Sequence, residues 1–373
     1  MLVEILLGVV PQSRKNQEQV CRGSVAVLVP AHNESAVIAN TLESIKSQMK
    51  PGDRLIVIAD NCTDNTGQIA RELGAELIER IDLNKRGKGF ALDFGIQYLE
   101  LSPPNTVILI DADCLLNEGS YEHLVMAGQQ LSKPVQAIYL MHGNENANLK
   151  TRVAEFAWAV KNRLRAMGAH QLGMPCHLKG SGIAIPWDII HKVNLANAEI
   201  VEDLKMGIDF AIAGYAPILC PDAIVCSSFP VSSHGMQSQR KRWEHGHIGM
   251  IMREFPKLMA LGLKRKQMGL VFMALDLSVP PLALLMSSYF ALLLLNGIEW
   301  LALSIEKPWY LSLIGLSMLI IAMFIAWWSE GRKLLSLSDL VYIPIYVIGK
   351  IPLYIGFLVN RQVEWIRSSR DKT

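Results

Sequence analysis

Residues 107–116 read VILIDADCLL, an apolar run that ends in two aspartates separated by one alanine. In extended geometry, side chains two positions apart leave the same side of the chain, so Asp111 and Asp113 would lie side by side. Mg²⁺ and Mn²⁺ take oxygen ligands and commonly sit between carboxylates and a substrate phosphate. The stretch therefore predicts a metal and a phosphorylated substrate. An ordinary turn after a strand is the alternative, since aspartate is common in turns.

The sequence around this stretch alternates between apolar strands and helical patterns. Predicted strands lie in 24–34 (SVAVLVPAHNE), 54–66 (RLIVIADNCTDNT) and 75–81 (AELIERI), and each leads into a polar loop. Such alternation is typical of an α/β fold with a mostly parallel sheet covered on both faces. Ligands bind such sheets beyond the carboxyl ends of the strands, where these polar loops would lie.

The apolar residues, 51% of the chain, are concentrated beyond residue 268. The runs 270–295 and 308–328 are each long enough to cross a bilayer. A third run, 339–359, is interrupted by two prolines and a lysine, so we expect it to lie in the membrane interface. The sequence thus predicts a Rossmann-like unit followed by a membrane unit.

Charge and cysteine content narrow the class of protein. The formal net charge is only +2, from 36 basic and 34 acidic residues, which gives no electrostatic footprint for nucleic acid. The six cysteines show no C-x-x-C spacing, which argues against a disulfide framework or a zinc site and favours a reducing compartment. The N-terminal run MLVEILLGVV is too short to span a bilayer and is predicted to be an interfacial segment.

Six motifs follow one another along the chain: VPAHNE (29–34), ADNCTDNT (59–66), GKGFALDFG (87–95), DAD (111–113), ED (202–203) and Q-x-x-R-W (239–243). In this order they resemble the membrane-embedded branch of glycosyltransferase family 2. That branch includes cellulose, hyaluronan and chitin synthases and ceramide glucosyltransferase. The resemblance covers about residues 24–370. It implies a GT-A fold, a nucleotide-sugar donor, a divalent metal and inversion at the anomeric carbon.

The resemblance also implies roles for residues on the donor side. Asp113 would be the principal metal ligand, with Asp111 beside it, and Asp60 would accept a hydrogen bond from the nucleotide base. Lys88 and Arg242 would add positive charge around the diphosphate. The residues expected to bind the nucleotide-sugar are Pro30, Ala31, Glu34, Asp60, Lys88, Asp111, Ala112, Gln239, Arg242 and Trp243.

An inverting transfer needs a general base that takes the proton of the acceptor hydroxyl. Asp203 matches the family's base, with Glu202 beside it. Taken without the motif series, the two acids could simply be first-turn residues favoured by the helix dipole. Trp243 would offer its ring face to the acceptor and Gln239 a hydrogen bond, whereas the alternative is an ordinary helix at a membrane surface.

The segment KGSGIAIP (179–186) is expected to form the acceptor-side floor, through Gly180, Ser181 and Gly182. Its glycines would allow a close approach of the backbone. Near the C-terminus, WIRSSR (365–370) resembles the gating loop of cellulose-synthase-like relatives, which implies closure over the bound donor.

These patterns divide the chain into five segments. They are an interfacial segment (1–23), a GT-A catalytic domain (24–235), amphipathic interface helices with QRKRW (236–266), two transmembrane helices (267–330), and interfacial helices with a cytoplasmic tail (331–373). The expected location is the cell (inner) membrane, with the catalytic domain cytoplasmic. Basic residues after the second span agree with the positive-inside rule.

Three classes of function remain open on the sequence. The favoured one is an inverting hexosyltransferase that moves a sugar, with UDP-hexose preferred as donor, to a lipid-linked or membrane-proximal acceptor. A processive polysaccharide synthase is the alternative within the family, although two secure spans could hardly enclose a polymer. A sugar nucleotidyltransferase needs neither Q-x-x-R-W nor a membrane unit, and a transporter should carry more polar residues in its spans, where Asp276 is the only acid of the first run.

Overall fold

The computed structural model describes residues 1–11, 22–197, 199–230 and 233–359. Its centre is an eight-stranded sheet with the strand order β3-β2-β1-β4-β7-β6-β8-β5. The strands are β1 (Val25–Ala31), β2 (Arg54–Asp60), β3 (Glu76–Arg80), β4 (Thr106–Leu109), β5 (Leu115–Leu116), β6 (Val135–His142), β7 (Ile183–Pro186) and β8 (Ile218–Ser228).

The sheet is parallel in one half and mixed in the other. β1 pairs in parallel with β2 and β4, and β2 pairs in parallel with β3. β7 is antiparallel to both β4 and β6, while β6 is parallel to β8. The predicted α/β class is confirmed, and the expectation of a mostly parallel sheet holds for the half that carries the first three motifs.

Helices cover the sheet and continue beyond it. They are α1 (Leu2–Gly8), α2 (Ile38–Lys46), α3 (Thr66–Glu72), α4 (Lys88–Leu99), α5 (Ser120–Leu131), α6 (Leu149–Ala159), α7 (Ala166–Gln171), α8 (Trp187–Ile190), α9 (Glu202–Ile212), α10 (Ser233–Arg265), α11 (Met268–Leu277), α12 (Leu282–Leu303), α13 (Lys307–Ser329), α14 (Leu337–Val341), α15 (Ile343–Ile348) and α16 (Ile351–Val359). A π-helix, Val160–Arg165, joins α6 to α7, and a short 3₁₀ turn, Gly331–Lys333, follows α13.

Both faces of the sheet are buried. Alternate residues of β1 point to opposite sides, so that Val27 and Val29 pack with Leu42 of α2, whereas Leu28 packs with Leu92 and the rest of α4. This two-sided burial explains why the strands read as continuous apolar runs rather than as alternating ones.

The end of β4 differs from the expectation. The strand ends at Leu109, two residues before Asp111, and the N–H of Cys114 donates to the carbonyl of Asp111 at 3.0 Å. A turn, not extended backbone, therefore brings Asp111 and Asp113 to the same place.

The first predicted span, 270–295, is wrong in its bounds. α11 ends at Leu277 and α12 begins at Leu282, with Pro280 and Pro281 between them, because proline lacks the N–H that a continuous helix needs. Within the described residues, α12 and α13 are the two helices long and apolar enough to cross a membrane. α13 covers the predicted run 308–328, and its crossing of a membrane stays a prediction. The short helices α14 to α16 agree with an interrupted third run.

The N-terminal segment is a helix docked on the protein. Ile5 of α1 is fully buried, and Glu4 forms an ion pair of 2.7 Å with Arg165. α1 and α7 approach so closely that a Cβ on Gly168 would lie 1.9 Å from the carbonyl oxygen of Glu4. Val3 and Leu6 stay exposed on the opposite face, so the predicted contact with a membrane interface stays a prediction.

Candidate active site

A cavity of about 590 Å³ lies at the carboxyl ends of β1, β2 and β4. Its position agrees with the rule for ligand sites in open α/β sheets. The structure brings together on its walls most of the residues predicted from the sequence: Pro30, Ala31, Glu34, Asp60, Lys88, Asp111, Ala112, Asp113, Gly180, Glu202, Asp203, Gln239, Arg242 and Trp243.

The turn after β4 forms an acidic cluster. Potential ligand atoms of Asp111, Asp113 and Cys114 lie within 4.8 Å of one another. Burial raises the pKa of Asp111, and although the Lys88 ammonium lowers it, the neighbouring Asp113 raises it again. Burial also raises the pKa of the Cys114 thiol, which favours its protonated form. The two carboxylates are therefore the groups that fit a hard divalent cation such as Mg²⁺ or Mn²⁺.

Lys88 connects this cluster to a second pair of acids. It is the first residue of α4, and its Nζ pairs with Asp111, lies 3.7 Å from Glu202, and donates to the carbonyl of Gly180 at 2.8 Å. Burial lowers the pKa of Lys88, but Asp111 and Glu202 raise it by more, so the group stays cationic. A fixed positive charge thus lies between the two acidic pairs.

Glu202 and Asp203 occupy the first turn of α9, where the helix dipole favours negative charge. Burial raises the pKa of Glu202 to about 7, against the effect of Lys88, and burial also raises the pKa of Asp203. A Cβ on Gly180 would lie 3.5 Å from Oδ2 of Asp111 and 3.5 Å from Oδ2 of Asp203. The backbone at Gly180, with its φ of +85°, therefore lies against an acid of each pair.

Asp60 lies at the end of β2. Its Oδ1 accepts hydrogen bonds from Arg80 at 2.6 Å and from Asn61 at 3.0 Å. Its Oδ2 makes no hydrogen bond within the described ranges, so it can accept one from a nucleotide base. Arg80, which orients this carboxylate, belongs to none of the six motifs and was not predicted from the sequence.

The Q-x-x-R-W residues belong to the long helix α10. The ring of Trp243 packs on Trp158 with 4.9 Å between centroids, and Trp158 donates its Nε1–H to the carbonyl of Tyr139 at 2.9 Å. Burial lowers the pKa of Arg242, and the surrounding carboxylates oppose that shift. The Oε1 of Gln239 is buried and lacks a hydrogen-bond partner in the part of the chain described, which leaves an acceptor for a ligand hydroxyl.

Ser181 and Gly182 do not line the cavity with Gly180. Ser181 is fully buried, and its Oγ accepts from the N–H of Asp111 at 3.0 Å. Gly182 lies between β4 and β6, where a Cβ would be 2.7 Å from Val225. These two residues support the turn at Asp111, and only Gly180 is placed to contact an acceptor. The tail with WIRSSR lies outside the described residues.

One end of the cavity was not predicted from the sequence. Its polar residues come from the π-helix, the loop before β7, and α11: Lys161, Asn162, Arg165, His177, Lys179 and Asp276. Asp276 pairs with Arg165, and its Oδ2 lies 3.7 Å from Nε2 of His177. Lys179 is the first residue of the predicted acceptor-side segment KGSGIAIP, whereas the other five residues belong to no motif. The signal that could have found Asp276 is its position as the only acid in an apolar run.

A family profile described as glycosyltransferase like family 2 matches residues 22–246, more than half of the chain. The chain belongs to this family. The probable glycosyltransferase YdaM of Bacillus subtilis is 26% identical over 270 residues, which are 69% of this chain and 62% of that protein. The poly-beta-1,6-N-acetyl-D-glucosamine synthase of Staphylococcus epidermidis is 22% identical over 253 residues, 65% of this chain and 58% of the synthase. The chain thus spans less than two thirds of the length of these relatives.

The family 2 chain also resembles a solved structure. The mannosyltransferase PcManGT from Pyrobaculum calidifontis, in complex with GDP-Man and Mn²⁺, superposes with a TM-score of 0.51 at 18% identity. The alignment covers 88% of this chain and 94% of the mannosyltransferase. This likeness shows that the fold is GT-A-like, with a mixed sheet followed by helices.

Proposed function

We propose that the chain is a membrane-bound, inverting, metal-dependent glycosyltransferase. It moves a sugar from a nucleotide-sugar, with UDP-hexose favoured, to a hydroxyl of a lipid-linked or membrane-proximal acceptor, in the assembly of cell-surface glycolipid or polysaccharide. The observation that carries this proposal is the arrangement of two acidic pairs, Asp111 with Asp113 and Glu202 with Asp203, around Lys88 and Gly180 in one cavity.

The two acidic pairs support different roles. Asp113 and Asp111 would hold Mg²⁺ or Mn²⁺, which stabilises the negative charge that develops on a nucleotide diphosphate leaving group. Lys88 and Arg242 add positive charge at the same place. Mn²⁺ is named with PcManGT, a protein of the same fold. Its nucleotide is GDP-Man, so guanine donors belong in any donor screen.

Asp203 acts as the general base and takes the proton of the acceptor hydroxyl as that oxygen attacks the anomeric carbon. Asp203 and Asp111 both lie close to Gly180, in different acidic pairs. This arrangement supports an attack from the side of the sugar opposite the diphosphate. Trp243 and Trp158 form a wall of the cavity on which a sugar ring can stack, and Gln239 can accept a hydrogen bond from a hydroxyl.

The helices α12 and α13 support a place in the membrane. No residue of α12 is buried in the protein, and about a third of the most apolar window of α13 is. A 22-residue apolar helix without a single buried residue leaves much of its apolar surface exposed, which is favourable in lipid and costly in water. We propose that the two helices cross the cell membrane out and back, with the catalytic domain in the cytoplasm.

A processive polysaccharide synthase is the second candidate. It is favoured by the match to the poly-beta-1,6-N-acetyl-D-glucosamine synthase, a protein named for the synthesis of a polymer. Against it, the described residues offer two candidate spans, and a hairpin of two helices does not enclose a channel.

Transfer can be tested on membranes that contain the protein. The membranes are incubated with Mn²⁺ and with radiolabelled UDP-sugars or GDP-mannose, and the label that partitions into organic solvent is counted. The proposal predicts lipid-extractable label with one donor, and none from membranes that carry the Asp203→Asn variant. Label in a high-molecular-weight, solvent-insoluble product would support the polymer synthase, and no incorporation from any nucleotide-sugar would contradict both.

A further inference from the structure

The end of the cavity away from Asp60 carries an excess of positive charge. Arg165 is neutralised by Glu4 and Asp276. Lys161 and Lys179 also line the cavity, and neither has a carboxylate within 4.0 Å among the residues that the structure describes. The Nζ of Lys179 donates to the carbonyl of Lys161 at 3.3 Å, so the two residues are neighbours. Burial and the mutual repulsion of the cations lower the pKa of both lysines, which a bound anion would reverse.

At the same end of the cavity, one ring nitrogen of His177 makes no hydrogen bond to the described residues. His177 is 93% buried, and its Nε2 lies 3.0 Å from the carbonyl of Met273. A carbonyl oxygen can only accept, so Nε2 carries the proton and Nδ1 is a hydrogen-bond acceptor. Nδ1 is buried and makes no hydrogen bond in the described part of the chain. A buried polar atom without a partner costs free energy, which a ligand that carries an ionisable O–H would recover.

A second cavity, of about 240 Å³, adjoins this end. The two cavities share Trp158, Lys161, Arg165, Trp243 and His247. The remaining lining of the second cavity comes from α6, from α10, from the segment before α12, and from α12, α13, α15 and α16. It is mostly apolar, with Val153, Phe156, Leu282, Met286, Met323 and Val347 among its residues, and it includes the charged residues Arg240, Glu244 and Lys350. It therefore lies at the end of the α12–α13 hairpin that is nearest the catalytic domain.

We propose that these two features bind the acceptor, and that the acceptor is an acidic amphiphile. Its phosphate or carboxylate group is held by Lys161 and Lys179, and its apolar chain occupies the cavity bounded by α12, α13 and α15. A phosphate that keeps one proton can also donate its O–H to Nδ1 of His177. The inference rests on the proposed function and specifies its acceptor class.

The position of the lysines relative to the base supports this assignment. Lys161, Lys179 and Asp203 line the same cavity. Burial raises the pKa of the Asp203 carboxyl, and the Lys161 ammonium opposes that shift. An anion held at the two lysines therefore lies in the cavity that contains the candidate base. The donor diphosphate has its own cations, Lys88 and Arg242, at the opposite acidic pair.

Binding can be measured without turnover. Full-length protein in phosphatidylcholine nanodiscs is titrated by calorimetry with dodecyl phosphate, dodecanoate, dodecanol and inorganic phosphate, and the heat with empty nanodiscs is subtracted. UDP with Mn²⁺ is titrated in parallel. Three variants are compared with the wild type. The double variant carries both Lys161→Gln and Lys179→Gln, a single variant carries Lys161→Arg, and the control carries Lys133→Gln at an exposed position.

We expect dodecyl phosphate or dodecanoate to bind at least tenfold more tightly than dodecanol and inorganic phosphate. The double variant should weaken that binding roughly tenfold or more, since hydrogen bonds to charged groups are the strong ones, and should leave the affinity for UDP unchanged. The Lys161→Arg variant should keep the affinity of the wild type, because it keeps the positive charge. Lys133→Gln should also bind as the wild type does.

Three outcomes would overturn the inference. They are equal affinity for dodecanol and the acidic amphiphiles, equal affinity for inorganic phosphate and dodecyl phosphate, or loss of UDP affinity in the double variant, which would assign the lysines to the donor. Each of these leaves the proposed glycosyltransferase standing. Failure of the wild type to bind any nucleotide with Mn²⁺ would instead count against the proposed function.

Discussion

Asp203 lies in the first turn of α9, with Lys88 and Gly180 between it and Asp111. The Asp203→Asn substitution keeps the shape of the side chain and removes its ability to take a proton. Transfer should fall roughly a hundredfold or more, as expected for a general base, while the affinity for UDP with Mn²⁺ stays close to wild type. Turnover by UDP release and calorimetry of UDP binding measure the two effects.

The matched control for this substitution is Asp209→Asn. Asp209 is on the same helix and pairs with Lys205 on the protein's surface, away from the cavity. It should keep normal turnover. Near-normal turnover of the Asp203→Asn variant would show that another group is the base.

Asp113 can be tested as the metal ligand independently of the role of Asp203 as the base. Its Oδ2 accepts a hydrogen bond from Ser227 at 3.2 Å, which orients the carboxylate. Replacement by alanine should weaken the affinity for UDP and remove its dependence on Mn²⁺, because Asp113 would hold the cation that offsets the charge of the diphosphate. Asp93→Ala, on the far part of α4, is the control. Binding of UDP by the wild type with the same affinity in EDTA would be incompatible with the metal site.

The site residues that could be predicted from the sequence are those that begin a helix or end a strand. Lys88 and Glu202 begin α4 and α9, and Asp60 ends β2, so their positions at the carboxyl edge of the sheet follow from the strand and helix pattern. Lys161 and His177 reach the same cavity from a π-helix and an irregular loop. Their contacts depend on how distant segments pack, which no local pattern encodes.

Among the elements, the docking of α1 gives a prediction about stability. A Cβ on Gly168 would lie 1.9 Å from the carbonyl oxygen of Glu4, so Gly168→Ala must push α1 away from α7. Overpacking of this kind costs typically about 1–3 kcal/mol, and the apparent melting temperature should fall. Gly356→Ala, where a Cβ would meet nothing within 4 Å, should leave it unchanged. An unaltered melting temperature for Gly168→Ala would mean that α1 is not held where the structure places it.

The helices after α10 show that the length and composition of an apolar run do not by themselves identify a membrane span. The run 270–295 has the length and composition of one span, yet α11 ends before Pro280 and packs through Leu270, Met273 and Leu277 against α10 and α9. Apolar composition is the same for a helix buried in protein and a helix in lipid. The prolines mark the boundary between the two environments, and they were the signal that the length criterion did not use.

For the whole molecule, the proposed topology places the turn between α12 and α13 outside the membrane. Glu306→Cys should react with an impermeant maleimide in sealed right-side-out vesicles, because Glu306 is exposed in that turn. Lys133→Cys, on the catalytic domain, should react only after the vesicles are opened. Thr373→Cys tests the predicted cytoplasmic tail, which lies outside the described residues, and should behave like Lys133→Cys. Reaction of Lys133→Cys in sealed vesicles would reverse the orientation.

The whole-molecule claim is that one cavity couples a metal-bound donor to a base on the opposite side of the sugar. The configuration of the transferred sugar tests this most directly. Purified protein is given an α-linked UDP-sugar, Mn²⁺ and membrane lipids, and the anomeric proton of the product is observed by NMR. We expect a β-linked product that forms only with a divalent metal and that does not form with the Asp203→Asn variant. An α-linked product would contradict it, because direct displacement assisted by Asp203 cannot retain the configuration.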